Sequence, residues 1–483
     1  MLRVRSLYSS TFKPVGAPIS ALSPLHAQNW PFPLSALPEP AYLVGGIVRD
    51  AFLDRRGDYL DLDFVVPENA IEVARQIARH HKAGFVVLDA ERQIARIVFP
   101  QATVDFALQE GHSLEADLRR RDFTVNAMAY NPHTHALIDP LGGYHDLQRR
   151  CLRMVAAENL AADPLRLLRA YRQSAQLHFH LDPETETTIA RHSLLIRNVA
   201  AERVQSELSY LFHHPQGVPC LLGAWQAGLV SPWFPDATPL HLARLQILDA
   251  LIHTLAQSWP QLLAALEPPL KTKESINAKP EGFGRSLGGF LRLCLLLDDR
   301  PDRAEETLRS LKASRWEIRS AALLWRLRHQ LHQPTLSIRE QYFLYKETQE
   351  LWPILALLSL LHQVAPEGNL TVDPQMDPHR DLQANLQADR DRTRLPRICL
   401  ETVVEHLHQS PIAQSLDQFF DLNNPIAHPR SLISGKEVMK ALNLASGPRV
   451  GEILTEVQLA QAHGQVQTAQ EALNFIDQWK SPD

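Results

Sequence analysis

The sequence predicts a small α/β domain followed by a long helical region. Between residues 41 and 155, short apolar runs alternate with turn-forming residues, as is typical of strands. One stretch there, Ile71–His81, has helical spacing instead. After Glu158, long segments rich in Leu, Ala and Arg repeat with helical periodicity. We therefore expect an α/β head followed by an all-α neck, body and tail.

The individual elements follow from local pattern. The predicted strands are Ala41–Val44, Leu62–Val66, Phe85–Leu88, Ala95–Phe99 and Thr103–Ala107. Helices are expected over 164–212, over 240–361 and again from Pro396. Two polar stretches, Lys271–Ser286 and Pro366–Leu395, predict a loop and a linker. The predicted domains are an N-terminal extension (1–40), a head (41–155), a neck (156–215), a helical body (216–395) and a helical tail (396–483).

Composition narrows the class of protein. The 483 residues suit two to four compact modules. With 45% hydrophobic and 21% charged residues, wholesale disorder is excluded. A net charge of −5 excludes a generally basic coat for nucleic acid, although a local basic surface is compatible with it. The four cysteines lie far apart, which fits a reducing compartment, and no apolar run is long enough to span a bilayer.

The first forty residues contain Arg3, Arg5 and Lys13 and no acidic residue before Glu39. This pattern fits either an organellar transit peptide or a loose, proline-dotted extension. The loose extension is the preferred interpretation. We accordingly expect a cytoplasmic protein, with organellar import as the alternative.

The most informative local feature is LVGGIVRD followed by LDLDF, residues 43–50 and 60–64. Gly45 and Gly46 follow a strand and open a helix, so backbone N–H groups there could approach a phosphate, with Arg49 one turn on. Asp61 and Asp63 alternate along a strand, which places both carboxylates on one face, roughly 6.5–7 Å apart. Such a pair can hold magnesium ions that bridge a nucleotide's phosphates.

Each of these patterns also has a purely structural interpretation. A glycine pair is a common turn, and alternating aspartates are common on solvated strand faces. Their order, with apolar strand residues on both sides, favours function. Asp105, in the strand TVDFA, is either a third metal-binding carboxylate or a solvent-facing residue, and the sequence does not separate the two.

The glycine pair and the two aspartates together resemble the head of polymerase-beta-type nucleotidyltransferases. Five motifs in order narrow the resemblance to the class II tRNA nucleotidyltransferase and bacterial poly(A) polymerase family. They are LVGGIVRD with DLDF (43–64), RRDFTVNAMAY (120–130), DPLGGYHDL (139–147), ADPLRLLRAYR (162–172) and AERVQSEL (201–208). The resemblance implies Mg²⁺-dependent transfer of nucleotides from CTP, and in some members ATP, to the 3′ end of tRNA.

RRDFTVNAMAY supplies four polar residues with implied roles. Arginine forks suit triphosphate oxygens, so Arg120 and Arg121 are expected to seat the triphosphate. By the resemblance, Asp122 and Asn126 select the ribose. Alternatively, the segment is a helix start with a surface basic cluster. DPLGGYHDL is expected to form a bend between head and neck.

ADPLRLLRAYR bears on base selection. Asp163 and Arg166 are neighbours on a helix and offer an acceptor beside several donors, which matches the pairing edge of cytosine or adenine. The resemblance implies that this pair acts as a protein template, and it places Arg169 among the nucleotide-binding residues. Asp163 could instead cap the helix that Pro164 begins. The family usually has Glu before this Asp, to orient the arginine, and this chain has Ala162.

The neck and tail motifs have weaker implications. Arg203, with Glu202, is expected to support the template helix, although a solvated ion pair is equally compatible. In the tail, GPRVGEIL (447–454) resembles a hairpin whose backbone amides could face tRNA phosphates; a helix-connecting turn is the alternative. The His and His-Asp pattern of a metal-dependent phosphohydrolase domain is missing from the sequence, so phosphatase activity is not expected.

Subtype is predicted from one segment. Only FALQEGHSLEADLR (106–119) separates the Asp105 strand from Arg120. Full CCA-adding relatives generally have a longer loop here, and a short one resembles enzymes that stop after two cytidines. We therefore expect a CC-adding enzyme, with full CCA addition, A addition or polyadenylation as alternatives. An inactive RNA-binding scaffold is disfavoured because both Asp61 and Asp63 are present, and an antibiotic-modifying transferase would not need the later motifs.

Overall fold

The computed structural model describes residues 23–55, 59–267, 286–333, 336–364 and 398–479. Two compact units account for them. One comprises the described residues up to Glu207 together with Gly223–Leu229, and the other comprises Leu208–Leu222 and the described residues from Val230 onward. Residues 1–22 of the predicted N-terminal extension and nearly all of the polar stretches at 271–286 and 366–395 lie outside the described residues. Within those residues, no helix is both long and apolar enough to cross a membrane.

A mixed sheet forms the head of the first unit, as predicted. Its strands are β1 (Tyr42–Val44), β2 (Leu60–Val66), β3 (Gly84–Asp89), β4 (Ile94–Phe99), β5 (Ala102–Leu108), β6 (Ala129–Asn131) and β7 (Ala136–Ile138). They lie in the order β3-β4-β5-β2-β1-β6-β7. β2 and β5 are parallel and the other neighbours are antiparallel. The two strands that contain the predicted carboxylates are therefore adjacent.

Alternation along β2 separates an apolar face from a polar one. Leu62, Phe64 and Val66 are buried, and the ring of Phe64 stacks on that of Phe106 in β5 at 5.1 Å. The N-terminal segment packs on the same ring, since Trp30 meets Phe64 edge-on at 5.2 Å. The expectation of a loose extension is therefore wrong for residues 23–40. These residues cover the apolar side of β2.

Nine α-helices follow in the described residues up to Gln226, and the last two, α8 and α9, contribute residues to both units. They are α1 (Gly46–Phe52), α2 (Ala70–His80), α3 (Leu114–Leu118), α4 (Gly143–Gln148), α5 (Ala157–Ala162), α6 (Leu165–Leu177), α7 (Pro183–His192), α8 (Ala201–His213) and α9 (Gly217–Gln226). A pair of two-residue parallel strands, β8 (Cys151–Leu152) and β9 (His180–Leu181), ties the start of this region to the end of α6.

The predicted bend at DPLGGYHDL begins α4. Asp139 accepts hydrogen bonds from the backbone N–H groups of Gly143 and Tyr144, both at 2.8 Å. Gly142 has φ +73°, and a Cβ at Gly143 would lie 2.1 Å from the carbonyl oxygen of Thr124. The two glycines thus allow a left-handed turn and a close backbone approach beside the 120–130 motif.

The second unit is helical in its described residues, as predicted for body and tail. Its further helices are α10 (Pro239–Leu255), α11 (Gln261–Leu266), α12 (Leu287–Cys294), α13 (Pro301–Ser310), α14 (Arg315–Leu327), α15 (Ile338–Thr348), α16 (Trp352–Val364), α17 (Leu400–Gln409), α18 (Pro411–Phe420), α19 (Gly435–Leu442), α20 (Pro448–Ala462) and α21 (Ala469–Ile476). In the tail, Val438, Ile453 and Ile476 belong to one buried apolar cluster. The sequence GPRVGEIL, predicted as a hairpin or a turn, starts helix α20 at Pro448.

Candidate active site

Two aspartates project from one face of β2, as their spacing predicts. Asp61 is exposed and Asp63 is half-buried. On the adjacent parallel strand β5, Thr103 lies opposite Asp61 and Asp105 lies opposite Asp63. The hydroxyl of Thr103 donates to Oδ1 of Asp61 at 2.6 Å. The polar face of β2 and β5 therefore concentrates three carboxylates over two strands.

The electrostatics of this face fit a divalent cation. Burial, followed by the negative charges of Asp61 and Asp105, raises the pKa of Asp63 to about 6, against the opposing effect of Arg121 and Arg96. Carboxylate oxygens are the ligands that Mg²⁺ prefers, and a cation relieves such crowding of negative charge. In the described part of the chain, no group of three or more His, Cys, Asp or Glu residues is arranged around one point.

Asp105 has a strong partner of its own. Arg96, opposite it on β4, donates from Nε to Oδ1 and from Nη2 to Oδ2, both at 2.7 Å. Both carboxylate oxygens are therefore engaged in a bidentate ion pair. The role of Asp105 as a metal ligand stays a prediction, and in this arrangement the side chain serves as the counter-ion of Arg96.

Gly45 brings the glycine motif against the carboxylates. It has φ +77° and ends the β1–α1 turn. A Cβ at this position would lie 3.2 Å from Nη1 of Arg121 and 3.8 Å from Oδ2 of Asp63. The motifs at 43–50, 60–64 and 120–130 therefore converge on one point, and a larger residue at Gly45 would press on Arg121.

A polar cleft of about 690 Å³ opens beside this point. Seven of the predicted residues line it: Arg120, Arg121, Asp122, Asp163, Arg166, Arg169 and Arg203. Arg92, Glu110, Asp117, Ala162 and Leu165 complete the lining. Its volume lies in the usual range for small-molecule sites. The excess of arginines suits a polyanionic ligand such as a nucleoside triphosphate.

Arg49 and Asn126 differ from expectation, because both are buried. Arg49 donates to Asp50 through Nε and Nη2, each at 2.9 Å, and to Oδ1 of Asn126 at 2.7 Å. Neither side chain is among those that line the cleft. Arg49 therefore positions Asn126 here, and its predicted contact with a triphosphate stays a prediction.

Asp122 connects this buried group to the cleft. Its Oδ1 accepts from the N–H of Phe123 at 2.8 Å and from Nδ2 of Asn126 at 2.9 Å. Its Oδ2 lies 2.9 Å from Nε of Arg169. Burial by itself raises the pKa of Asp122, but Arg169, Asn126 and the Phe123 amide outweigh it, so the pKa is held below its usual range. Asp122 is therefore an ionised acceptor held in one orientation at the cleft wall.

The pair Asp163 and Arg166 lies beside the arginine run, Arg119–Arg121. Asp163 is not the helix cap, because Pro164 takes the N-cap position of α6 and no side chain caps that helix. Instead, Oδ2 of Asp163 accepts from Nη2 of Arg203 at 3.0 Å. Nη1 of Arg166 donates to the backbone carbonyls of Arg120 at 2.8 Å and Asn159 at 3.2 Å.

The neck residues predicted to support this pair differ from one another. Arg203 contacts Asp163 directly, whereas Glu202 is exposed, and its supporting role stays a prediction. Glu207, one turn further along α8, is mostly buried and forms an ion pair with Arg172 of α6. Within the first unit, α8 is thus tied to α6 by Glu207 as well as by Arg203.

The segment between β5 and Arg120 is compact. Ser113 caps α3 by accepting from the N–H of Ala116 at 3.1 Å, and Leu118 is fully buried. Asp117 accepts from the N–H of Glu110 at 3.0 Å and lies 3.3 Å from Nη2 of Arg121. These contacts bind the segment to itself and to the cleft wall.

Three family profiles match successive parts of the chain: a poly A polymerase head domain over residues 41–153, an RNA- and SrmB-binding site of polymerase A over 178–240, and a tRNA nucleotidyltransferase domain 2 over 400–476. A CC-adding tRNA nucleotidyltransferase of Synechocystis sp. is 40% identical over 469 residues, which cover 95% of this chain and 98% of that protein. The chain belongs to the tRNA nucleotidyltransferase family of CCA-adding enzymes. It is thus an enzyme, as the motifs predict.

Other members of the tRNA nucleotidyltransferase family match as broadly. An A-adding tRNA nucleotidyltransferase of Deinococcus radiodurans is 31% identical, covering 92% of this chain and 97% of that protein. The Thermotoga maritima CCA-adding enzyme, solved in complex with tRNA, covers 92% of each chain with a TM-score of 0.62 at 19% identity. That likeness confirms the fold, a nucleotidyltransferase head with a helical remainder.

Three polar residues of this tRNA nucleotidyltransferase were not identified from sequence. Arg96 pairs with Asp105, Gln173 accepts from Nδ2 of Asn126 at 2.9 Å, and Asn159 donates to the backbone of the arginine run. Only the first left a signal, since Arg96 and Asp105 lie on strands joined by a short turn. Gln173 and Asn159 meet partners 38 or more positions away.

Proposed function

We propose that this tRNA nucleotidyltransferase adds cytidines from CTP to the 3′ end of tRNA and stops after two. The observation that carries the subtype is the segment from Gln109 to Arg119. It is short, it is capped by Ser113, and Asp117 ties it to Arg121. A site that accepts first CTP and then ATP must change shape between the two nucleotides. This segment is too short, and too firmly bound by its hydrogen bonds, to allow such a change. The CC-adding relative at 40% identity supports the same assignment.

In this proposal Asp61 and Asp63 hold Mg²⁺. The bound metal would lower the pKa of the attacking hydroxyl and neutralise charge on the triphosphate. Thr103 holds Asp61 in place through its hydroxyl, and Asp105 has a metal-binding role only if it releases Arg96. The tRNA 3′-hydroxyl oxygen bonds to the α-phosphorus, the bond from that phosphorus to the bridging oxygen breaks, and pyrophosphate leaves.

The cleft residues would bind the nucleotide in three parts. Arg120 and Arg121 seat the triphosphate beside the backbone of Gly45 and Gly46. Asp122, held by Asn126 and Arg169, accepts from a ribose hydroxyl, which would favour ribonucleotides.

Asp163 and Arg166 would read the base. Among the described residues, Oδ1 of Asp163 and both Nε and Nη2 of Arg166 have no hydrogen-bond partner in the protein. An acceptor beside donors matches the amino group and the acceptors of cytosine. Uracil presents a carbonyl to the carboxylate and an N–H to the guanidinium, so UTP is rejected at both points.

The tRNA itself would be held mainly by the neck and the tail. The helical tail from residue 396, with the glycine-bounded start of α20 at 447–454, is proposed to contact phosphate backbone, since folded RNA is recognised largely by shape. The proposed domain limits remain a head at 41–155, a neck at 156–215 and a body at 216–395. A cytoplasmic location fits four dispersed cysteines.

The deciding experiment offers the purified protein and Mg²⁺ three tRNA substrates, which end before CCA, in C, or in CC. Each receives labelled CTP alone, ATP alone, or both. Two cytidines and no adenosine are expected. Completion to CCA would contradict the subtype, adenosine on the CC end alone would establish the A-adding activity named for the Deinococcus relative, and long adenosine tails would establish polyadenylation.

A further inference from the structure

Three consecutive backbone carbonyls that follow α3 accept hydrogen bonds from side chains of α5 and α6. α3 ends at Leu118, so the carbonyls of Arg119, Arg120 and Arg121 have no helical partners of their own. Nδ2 of Asn159, in α5, donates to the carbonyl of Arg119 at 2.8 Å and to that of Arg121 at 2.9 Å. Nη1 of Arg166 donates to the carbonyl between them at 2.8 Å.

Asn159 also holds Arg166. Its backbone carbonyl is the second acceptor of Nη1, at 3.2 Å. A guanidinium is planar and rigid, so two acceptors at Nη1 restrict the directions in which Nε and Nη2 can donate. Ala162, which lines the cleft beside this pair, has no polar side chain with which to do so. In the described part of the chain, the Arg166 side chain donates hydrogen bonds to the backbone carbonyls of Arg120 and Asn159.

One asparagine therefore joins two groups of functional residues. Through its side-chain amide, Asn159 holds the backbone from which Arg120 and Arg121 project. Through its backbone carbonyl, it holds the guanidinium of Arg166. We propose that Asn159 is a positioning residue that couples triphosphate binding to base selection. This inference rests on the functions proposed for Arg120, Arg121 and Arg166.

The coupling makes a specific prediction. Loss of the Asn159 side-chain amide keeps the backbone carbonyl of Asn159, but it releases the backbone on both sides of the Arg120 carbonyl, to which Arg166 donates at 2.8 Å. It should therefore weaken the binding of the triphosphate and reduce the discrimination between bases together, although the side chain touches neither the triphosphate nor the base. The amide makes two hydrogen bonds, and losing both should change each property about tenfold. The turnover at saturating CTP should stay within about threefold of the parent, because Asp61 and Asp63 are untouched.

The test uses Asn159→Asp, which keeps the size of the side chain and replaces its two N–H donors by an acceptor. Asn198→Asp is the matched control, since it makes the same chemical change at an exposed position of the same unit. Three quantities are measured on the full-length protein. They are the ratio of kcat/KM for CTP over UTP, the inhibition constant of inorganic triphosphate, and the midpoint of thermal unfolding.

We expect Asn159→Asp to lower the CTP preference and raise the inhibition constant, each about tenfold, with Asn198→Asp at parental values. A folded Asn159→Asp variant in which either quantity is parental would overturn the coupling. If this variant does not fold, Asn159→Ser decides, because it retains one donor and should show a smaller change in both quantities. Parental values in a folded Asn159→Ser variant would then overturn the proposal.

Arg166→Ala separates this inference from the function on which it rests. If Arg166→Ala leaves the CTP preference unchanged, the proposed base reading is wrong. If Arg166→Ala abolishes the preference while Asn159→Asp keeps it, base reading stands and only the positioning role of Asn159 is refuted.

Discussion

Replacement of Trp30 should destabilise the first unit, although the residue lies outside every motif. The side chain is only 7% exposed. Its ring packs edge-on against Phe64, the residue after Asp63, and lies 5.7 Å from Phe32. Its Nε1 donates to the carbonyl of Pro24 at 2.7 Å. A truncation here removes packing directly behind β2, the strand that contains Asp61 and Asp63.

The magnitude follows from these contacts. Changing a buried Trp to Ala typically costs about 3–5 kcal/mol, which includes the cavity left behind. Trp30→Phe retains most of the packing and loses the indole hydrogen bond, so a smaller loss of about 1–2 kcal/mol is expected. Leu194→Ala is the control, because that side chain lies in the same unit and is 54% exposed, and such surface changes stay within about 0.5 kcal/mol.

The assay should report on the first unit alone. Hydrogen–deuterium exchange of peptides that cover β2 and β5, measured against urea concentration, gives the free energy of unfolding of that sheet. Nucleotide addition at low temperature, where the variant is still folded, shows whether the site itself persists. A loss below about 0.5 kcal/mol for Trp30→Ala would refute the assigned packing, since it is no more than surface changes cost.

Three further predictions address the chemistry and the second unit. Asp61→Ala and Asp63→Ala should each abolish nucleotide addition while tRNA binding, measured by gel shift, persists; near-normal turnover in either would exclude the metal assignment. Arg166→Ala should lower the preference for CTP over UTP about 10- to 100-fold with little change in tRNA affinity, as expected for loss of charge-assisted hydrogen bonds, and equal loss for both nucleotides would contradict base reading. Asp299 accepts from Arg328 at 2.6 Å and from His362 at 2.8 Å; burial opposes these partners, yet they hold its pKa well below the usual range. Asp299→Asn should therefore destabilise the second unit by about 3 kcal/mol above pH 4. The difference from the parent should shrink as the pH falls below 4, because the stability contributed by a carboxyl with a lowered pKa is lost when that carboxyl is protonated. A difference in the free energy of unfolding that stays constant from pH 5 to 3 would contradict this.

The head was predictable because its signals are local. Period-two alternation along β2 is enough to place Asp61 and Asp63 on one face, and a glycine pair between a strand and a helix is enough to predict a close backbone approach. The helical remainder follows from spacing in the same way. Such patterns depend on neighbouring residues, and the structure has few ways to override them.

The N-terminal segment shows where composition misleads. A stretch with several prolines and few charges was expected to be loose, yet Leu25, Trp30, Phe32 and Leu37 are buried. What decides the matter is an uncovered apolar face on β2 and β5, and that face exists only once the sheet has formed. Burial of aromatic rings against it outweighs the cost of ordering the segment.

The sequence by itself determined five strands of the head sheet, the helical character of the remainder and the residue types that meet at the cleft; it did not predict β6, β7, β8 and β9. Only the tertiary structure decided what each polar group does. Arg49 donates to Asn126, which is 77 positions away, so it positions a neighbour and does not face the cleft. Asn159 lies 40 and 38 positions from the carbonyls that it holds. A buried donor must find an acceptor once water is removed, and which acceptor is within reach depends on packing between elements, which no local pattern contains.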